Sequence, residues 1–285
     1  MTEFSYVVLH AVAIFINRDF KVIPMLAEFG IIGGTGFYDP QLLENAEEVK
    51  VDTPFGPPSD VITVGDLEGR KVAFIPRHSR KHTIRPTDVN SRANIYALKQ
   101  LGVQWILSPS TVGSLKDEYK PGDIVFVDQF IDRTTRREQS FYTGPKVCHI
   151  SVAEPICPEL RKLLIKIAGE MKVRYHKTGT YVCIEGPRFS TKAESKLFQS
   201  WGADVVGMTL VPECVLAREA EICYASLATV TDYDCWKDRP VTAGEVRRTM
   251  RENIEKVKNI IREAVVRIPK ERVCECGNAL KSAMV

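Results

Sequence analysis

Short apolar runs alternate along this chain with segments whose apolar positions recur every three or four residues, from Phe29 to near the end. Runs of the first kind predict buried strands, and repeats of the second kind predict helices with one apolar face. Phe29–Gly33 reads as a first strand ending in a glycine loop, GIIGGTGFYD at 30–39. A short helix is expected over 40–45 and a returning strand over 48–52. Residues 61–66 and 71–76 alternate around Leu67-Glu68-Gly69, as a hairpin does. A helix over about 90–101 carries Ile95, Leu98 and Leu101 on one face, and strands follow over 103–108 and 123–130. In the second half, helices are expected over 159–172, 191–201 and 212–222, and strands over 177–184, 203–206 and 225–231. Thr242 and Glu245 form a capping box ahead of a long helix whose apolar face is Val246, Met250, Ile254, Val257, Ile261 and Val265.

Strands and helices alternate throughout, with no linker-like shift in composition and no internal repeat. This pattern predicts one α/β domain with a mixed central sheet flanked by helices. The first 24 residues fall outside it. Residues 6–16 are an apolar run too short to span a bilayer. The run follows Glu3 rather than a basic segment, and no small-residue cleavage site succeeds it. Residues 1–24 are therefore expected to be an extension, with the domain over 25–285 and a cytoplasmic location.

Charge and cysteine content narrow the picture. A net charge of +3 on 285 residues supplies no broad field for nucleic acid or membrane. The eight cysteines are scattered and include no C-x-x-C pair, which argues against a structural zinc site; no metal is expected. Cys274 and Cys276 lie close together in a polar tail, a candidate disulfide or redox pair, and an intracellular disulfide would point to a hyperthermophile.

The candidate chemistry sits at predicted strand ends. The glycine loop offers backbone N–H groups to an anion, with a hydroxyl at Thr35. It departs from the strict dinucleotide spacing, although Asp52 stands where a ribose-binding acid would be. A nucleotide loop, a phosphate loop and a plain turn all remain open on this evidence. Arg77-His78-Ser79-Arg80-Lys81-His82 concentrates cations for an anion such as phosphate, or forms a solvated basic loop. The hydroxyl run Ser108–Ser114, with Ser110 and Thr111, reads as an oxyanion cradle or a turn. Glu185–Thr191 brings Phe189 and Ser190, and Gly207-Met208-Thr209 brings a thioether and a hydroxyl. Asp232-Tyr233-Asp234 places two carboxylates at a strand terminus, either in one cleft or as an Asx turn.

Taken together, these segments resemble the nucleoside phosphorylase superfamily and, within it, the 5′-methylthioadenosine phosphorylases. The text that carries the likeness includes GIIGGTGFYD, RHSRKHTIRP, IEGPRFSTKAES, WGADVVGMTLVPECVLAREAEICYAS and TDYDCW, and it covers the chain from about Phe29 to the last helix. The resemblance implies cleavage of 5′-methylthioadenosine by inorganic phosphate, a co-substrate, with no cofactor. It implies phosphate contacts from Thr35, Arg77, His78, Ser110, Thr111 and Thr209. It implies Phe189 and Met208 at base and ribose, and Ser190, Asp232 and Asp234 at the purine. His149, lent by a neighbouring subunit, and Val246 are implied at the methylthio pocket, in a homotrimer or homohexamer. Pro109-Ser110-Thr111 departs from the family's usual text. Asp232 is expected to assist purine departure, and a second carboxylate suits a 6-amino group better than a 6-oxo group. The nearest rival is a purine nucleoside phosphorylase of broader or 6-oxopurine specificity. Archaeal thermophile members often carry a C-x-C tail, which would fit Cys274 and Cys276.

Overall fold

The computed structural model describes residues 7–9, 25–34, 42–237 and 241–285, the first three by backbone alone. β1 (Val7–Leu9), β2 (Phe29–Gly33), β3 (Glu44–Val51), β4 (Ile62–Leu67) and β5 (Arg70–Pro76) precede α1 (Ser91–Gln100). β6 (Trp105–Ser114), β7 (Ile124–Val125) and β8 (Gln129–Arg133) lead to α2 (Pro158–Glu170). β9 (Tyr175–His176), β10 (Thr180–Ile184), α3 (Lys192–Ser200), β11 (Val205–Gly207), α4 (Leu210–Glu219), β12 (Cys223–Asp232) and α5 (Ala243–Arg267) complete the order.

All the strands belong to one mixed sheet, and β6 organises it. Its first residues pair in parallel with β2, from Phe29 opposite Trp105 to Ile31 opposite Leu107. β12 runs parallel along its other side from Cys223 opposite Trp105 to Asp232 opposite Gly113. At Gly113 and Ser114 β6 changes partner and pairs antiparallel with β11. Between Leu107 and Gly113 the sheet therefore forks, and among the described residues β6 has a strand partner there on the β12 side alone. Pro109 lies in the fork, where the N–H it lacks has no ladder partner to lose.

Burial follows the apolar pattern. Phe29, Ile31, Ile32, Ile75, Leu98, Ile106 and Leu107 are essentially inaccessible, as are Val257, Ile261 and Val265 of α5. Each such side chain contributes roughly 1.5–3 kcal/mol relative to an exposed position. Gly30 is packed so closely that an added Cβ would lie 3.0 Å from Leu98 and 3.2 Å from Val103. That glycine seats β2 against α1 rather than bending a loop. Thr242 accepts from the Glu245 N–H and starts α5, which is the N-cap half of the expected capping box.

Three local expectations change. Glu44 and Asn45 are strand rather than helix, at a register shift in β3, while residues 40 and 41 lie outside the described set. The hydroxyl run at 108–114 is strand to its end, because β12 pairs along it. The strand expected over 123–130 divides into β7 and β8, which join different parts of the sheet. Of the segment 1–24, Val7–Leu9 is described, as a parallel edge strand against β3.

Candidate active site

The fork opens into a cavity of about 750 Å³ lined by the carboxyl ends of several strands. This is where open α/β sheets place ligands, since neighbouring strands part there and expose backbone and first-loop residues. Eleven of the residues singled out from the sequence line it: Arg77, His78, Ser110, Thr111, Phe189, Ser190, Met208, Thr209, Asp232, Asp234 and Val246. Thr35 lies outside the described residues. His149 is exposed and away from the cavity, its N–H donating to Ala283 O at 2.7 Å. Asp52 is exposed and is not part of the lining, so the dinucleotide reading loses its acid.

One end of the cavity is built for an anion. Arg77, at the end of β5, is 1% exposed. Its Nε donates to Glu213 on α4, and its Nη2 donates to Glu213 Oε2 at 3.1 Å, Ser108 Oγ at 2.7 Å and Ile32 O at 3.1 Å. Tyr224 and Ser108 each donate to Glu213 Oε2 at 3.0 Å. Burial works against the Arg77 charge, and the Glu213 carboxylate more than restores it. A Cβ on Gly34 would lie 2.9 Å from Arg77 Nη1, so that nitrogen faces the glycine loop.

His78 adds a neutral group. Its Nδ1 lies 2.9 Å from the carbonyl oxygen of Ile84, which can only accept, so Nδ1 carries the hydrogen. Burial, and then the Arg77 charge, pull its pKa down to about 4. Nε2 is left as an acceptor suited to a phosphate hydroxyl. Ser110 lies 3.4 Å from the Ser226 hydroxyl of β12. The Thr209 N–H donates to the Tyr181 hydroxyl at 3.2 Å, which fixes the start of α4.

The other end holds two carboxyl groups. A register shift between Val230 and Asp232 turns the end of β12 against Gly113. Asp232 Oδ1 accepts from the Asp234 N–H at 2.8 Å, and Oδ2 lies 2.7 Å from the Thr231 hydroxyl. The Asx turn and the cleft are thus one feature. Burial raises the Asp232 pKa to about 6, and burial raises Asp234 as well. Ser195 of α3, wholly buried, donates to Asp234 Oδ2. Gly113 permits the close approach, since a Cβ there would sit 2.9 Å from Asp232 Oδ1.

A family model described as the phosphorylase superfamily matches residues 28–266, most of the chain. The chain belongs to this superfamily. Relatives named S-methyl-5′-thioadenosine phosphorylase sit close within it. One from Thermofilum pendens is 56% identical over 258 residues, covering 90% of this chain and 98% of the relative. One from Nitrosopumilus maritimus is 57% identical over 256 residues, covering 90% and 97%. Among solved structures, a methylthioadenosine phosphorylase from Schistosoma mansoni in complex with adenine superposes with a TM-score of 0.85 at 40% identity, covering 90% of this chain and 96% of that one. A methylthioadenosine phosphorylase from an antarctic soil metagenomic library gives 0.86 at 45% identity, covering 91% and 92%.

Behind the cavity wall stand supports that sequence reasoning missed. Glu213, Tyr224 and Ser195 hold Arg77 and Asp234, from more than a hundred residues away in the case of Arg77. Arg137 donates to Met208 O and Val211 O at 2.6 Å and to Glu185 O at 2.7 Å, tying two cavity loops together. Burial raises Glu185, but hydrogen bonds from Thr135, Thr87 and Arg137 outweigh it and hold the carboxyl at about 2. A first-turn glutamate such as Glu213, in an otherwise apolar helix start, was the one available signal, because unpaired carboxylates are not buried.

Proposed function

We propose that the protein cleaves 5′-methylthioadenosine with inorganic phosphate, giving adenine and 5-methylthioribose-1-phosphate. The reading rests on one arrangement: an anion-binding end built on Arg77 and a protonatable carboxyl at Asp232, facing each other across one cavity. Phosphate, held by Arg77, His78, Ser110, Thr111 and Thr209, and by Thr35 as the family resemblance implies, stabilises the cationic ribosyl centre and then bonds to it. As the glycosidic bond breaks, negative charge develops on the purine. Asp232, with its pKa raised by burial, donates a proton toward N7, and Asp234 accepts from the 6-amino group. Phe189 and Met208 pack on base and ribose, Ser190 adds a hydroxyl at the purine, and Val246 closes the 5′ side.

The reaction takes phosphate as co-substrate and needs no cofactor. His149 lies outside its own chain's cavity, and in a homotrimer or homohexamer it reaches the methylthio pocket of a neighbour. Among the described residues no helix is long and apolar enough to cross a membrane, and the proposed site of action is the cytoplasm. The test is phosphate-dependent adenine release from methylthioadenosine, measured beside adenosine and inosine. Turnover of inosine in preference to methylthioadenosine, or no release at all, overturns the reading.

A further inference from the structure

A second concavity, of about 570 Å³, borders α5. Val246 and Arg247 of that helix line the catalytic cavity, whereas Arg248, Asn253 and Lys256 line the second one. Lys172 and Arg174, in the connection from α2 to β9, add two more cations to its wall.

Charge is not balanced there. Arg174 Nε donates to the buried Asp123 at 2.7 Å, yet the arginine side chain stays 62% exposed. Arg248 pairs with Glu252, one turn on, at 3.3 Å. Among the described residues no carboxylate pairs with Lys172, and the Lys256 ammonium donates to a neutral partner, Asn253 Oδ1, at 2.7 Å. Both lysines are exposed. Two cations therefore remain uncompensated in one concavity, and a concave wall concentrates the field they make.

We propose that this concavity binds a small polyphosphate anion, at a site separate from the catalytic one. A single carboxylate would leave most of these cations unanswered. Linked phosphates offer many oxygens, which the two arginine forks bind in pairs and the two ammonium groups bind as point charges. A net charge of +3 is too small to draw a long nucleic acid, so the anion is a small molecule.

The site reaches the catalytic carboxyls through the main chain. Gly122, with a φ of +91°, also lines the concavity and donates its N–H to Val230 O at 2.8 Å. The Val230 N–H donates to Asp123 O at 2.9 Å, and Val230 stands two residues before Asp232 in β12. A Cβ on Gly122 would lie 3.3 Å from Asn253 Oδ1, so this loop is pressed against α5. An anion spanning Lys172 and Lys256 fastens the exit of α2 to α5, and thereby steadies the end of β12 and the helix that carries Val246.

The test is isothermal titration of the full chain with tripolyphosphate, in phosphate-free buffer at physiological salt, beside guanosine triphosphate. Saturable binding and a raised melting temperature are expected. Equal affinity for the two probes identifies the phosphates alone as the ligand, and tighter guanosine triphosphate shows that a nucleoside is held as well. The double substitution Lys172→Gln, Lys256→Gln should weaken binding about tenfold and leave the KM for inorganic phosphate unchanged. Should the double variant fail to fold, Lys256→Gln alone is read for the same loss of affinity. No binding to the parent overturns the proposal. So does unchanged affinity in the variant, which would place the anion in the catalytic cavity. Binding is measured without turnover, so a failure here is distinct from a failure of the cleavage reaction proposed above.

Discussion

Arg77, which lines the cavity, is paired with Glu213 behind it, 136 residues away in sequence, and each is 1% exposed. The pairing leaves Arg77 rigid, charged and turned toward the glycine loop. It also means that the local charge is balanced before any phosphate arrives.

Glu213→Gln should therefore expose an uncompensated buried cation. Breaking a buried pair costs about 3–5 kcal/mol, and a second anion can offset part of that. The variant is expected to melt well below the unaltered protein in phosphate-free buffer. Saturating phosphate should raise its melting temperature more than it raises that of the parent. Equal phosphate shifts in the two proteins would separate Glu213 from the anion site.

Gly34→Ala places a Cβ 2.9 Å from Arg77 Nη1 and 3.4 Å from Pro109 O. The guanidinium is pinned on its other side by Glu213 and has little room to retreat. Steady-state kinetics should give a KM for phosphate raised about tenfold, ~1.4 kcal/mol, with the KM for the nucleoside nearly unchanged. A change confined to the nucleoside KM would contradict the placement.

Asp232→Asn should reduce kcat by about 10²–10⁴, the usual contribution of a positioned general acid. It should also stabilise the protein at neutral pH. The folded state holds the Asp232 proton to about pH 6, against an ordinary value of 3.8, so the stability tied to that proton is complete below about pH 4 and lost as pH rises through 6. At pH 7 the ionised group costs on the order of 1–3 kcal/mol. Melting curves of the variant and the parent should converge near pH 4 and separate above pH 6. In the parent, kcat/KM should fall as pH rises past Asp232's value.

Ser195→Ala removes the hydroxyl that aims Asp234 and contributes about 1 kcal/mol as a buried hydrogen bond. The KM for methylthioadenosine should rise about fivefold, and the preference for a 6-amino over a 6-oxo purine should narrow. An unchanged substrate ratio would show that Asp234 needs no such support.

We read residues 1–24 as an extension. The superfamily match begins at 28, and main-chain packing is in place by Leu26, whose N–H donates to Leu101 O at 3.0 Å. A chain beginning at Met25 should keep its melting temperature and its turnover. Loss of either would give the pairing of Val7–Leu9 with β3 a structural role.

Much of this was legible in the chain, for reasons that differ by residue. The strand ends were readable because buried strands are short apolar runs, and the residue after each run is committed to the sheet's carboxyl edge. That is why Arg77, Met208 and Asp232 could be placed. The hydroxyl run at Ser110 and Thr111 stays open between a cradle and a turn in the sequence because β12 supplies its ladder from more than a hundred residues away, and local composition carries no trace of that partner. Glu213 and Ser195 escaped for the same reason. A carboxylate or hydroxyl whose role is to hold another side chain has no local pattern, only a spatial one. The four cysteines Cys157, Cys223, Cys274 and Cys276 are the extreme case, since they come from three separate segments and meet only in the fold.

The fork at β6 has a bearing on assembly. Its first half pairs with β2 from the N-terminal part of the chain, and its second half pairs with β11 from the C-terminal part. Neither half of the polypeptide encloses the cavity by itself. Fragments divided anywhere between β6 and β11 must find each other before a substrate has walls to touch. Recovered turnover is thus a sensor of the completed molecule, silent until the last strand has docked.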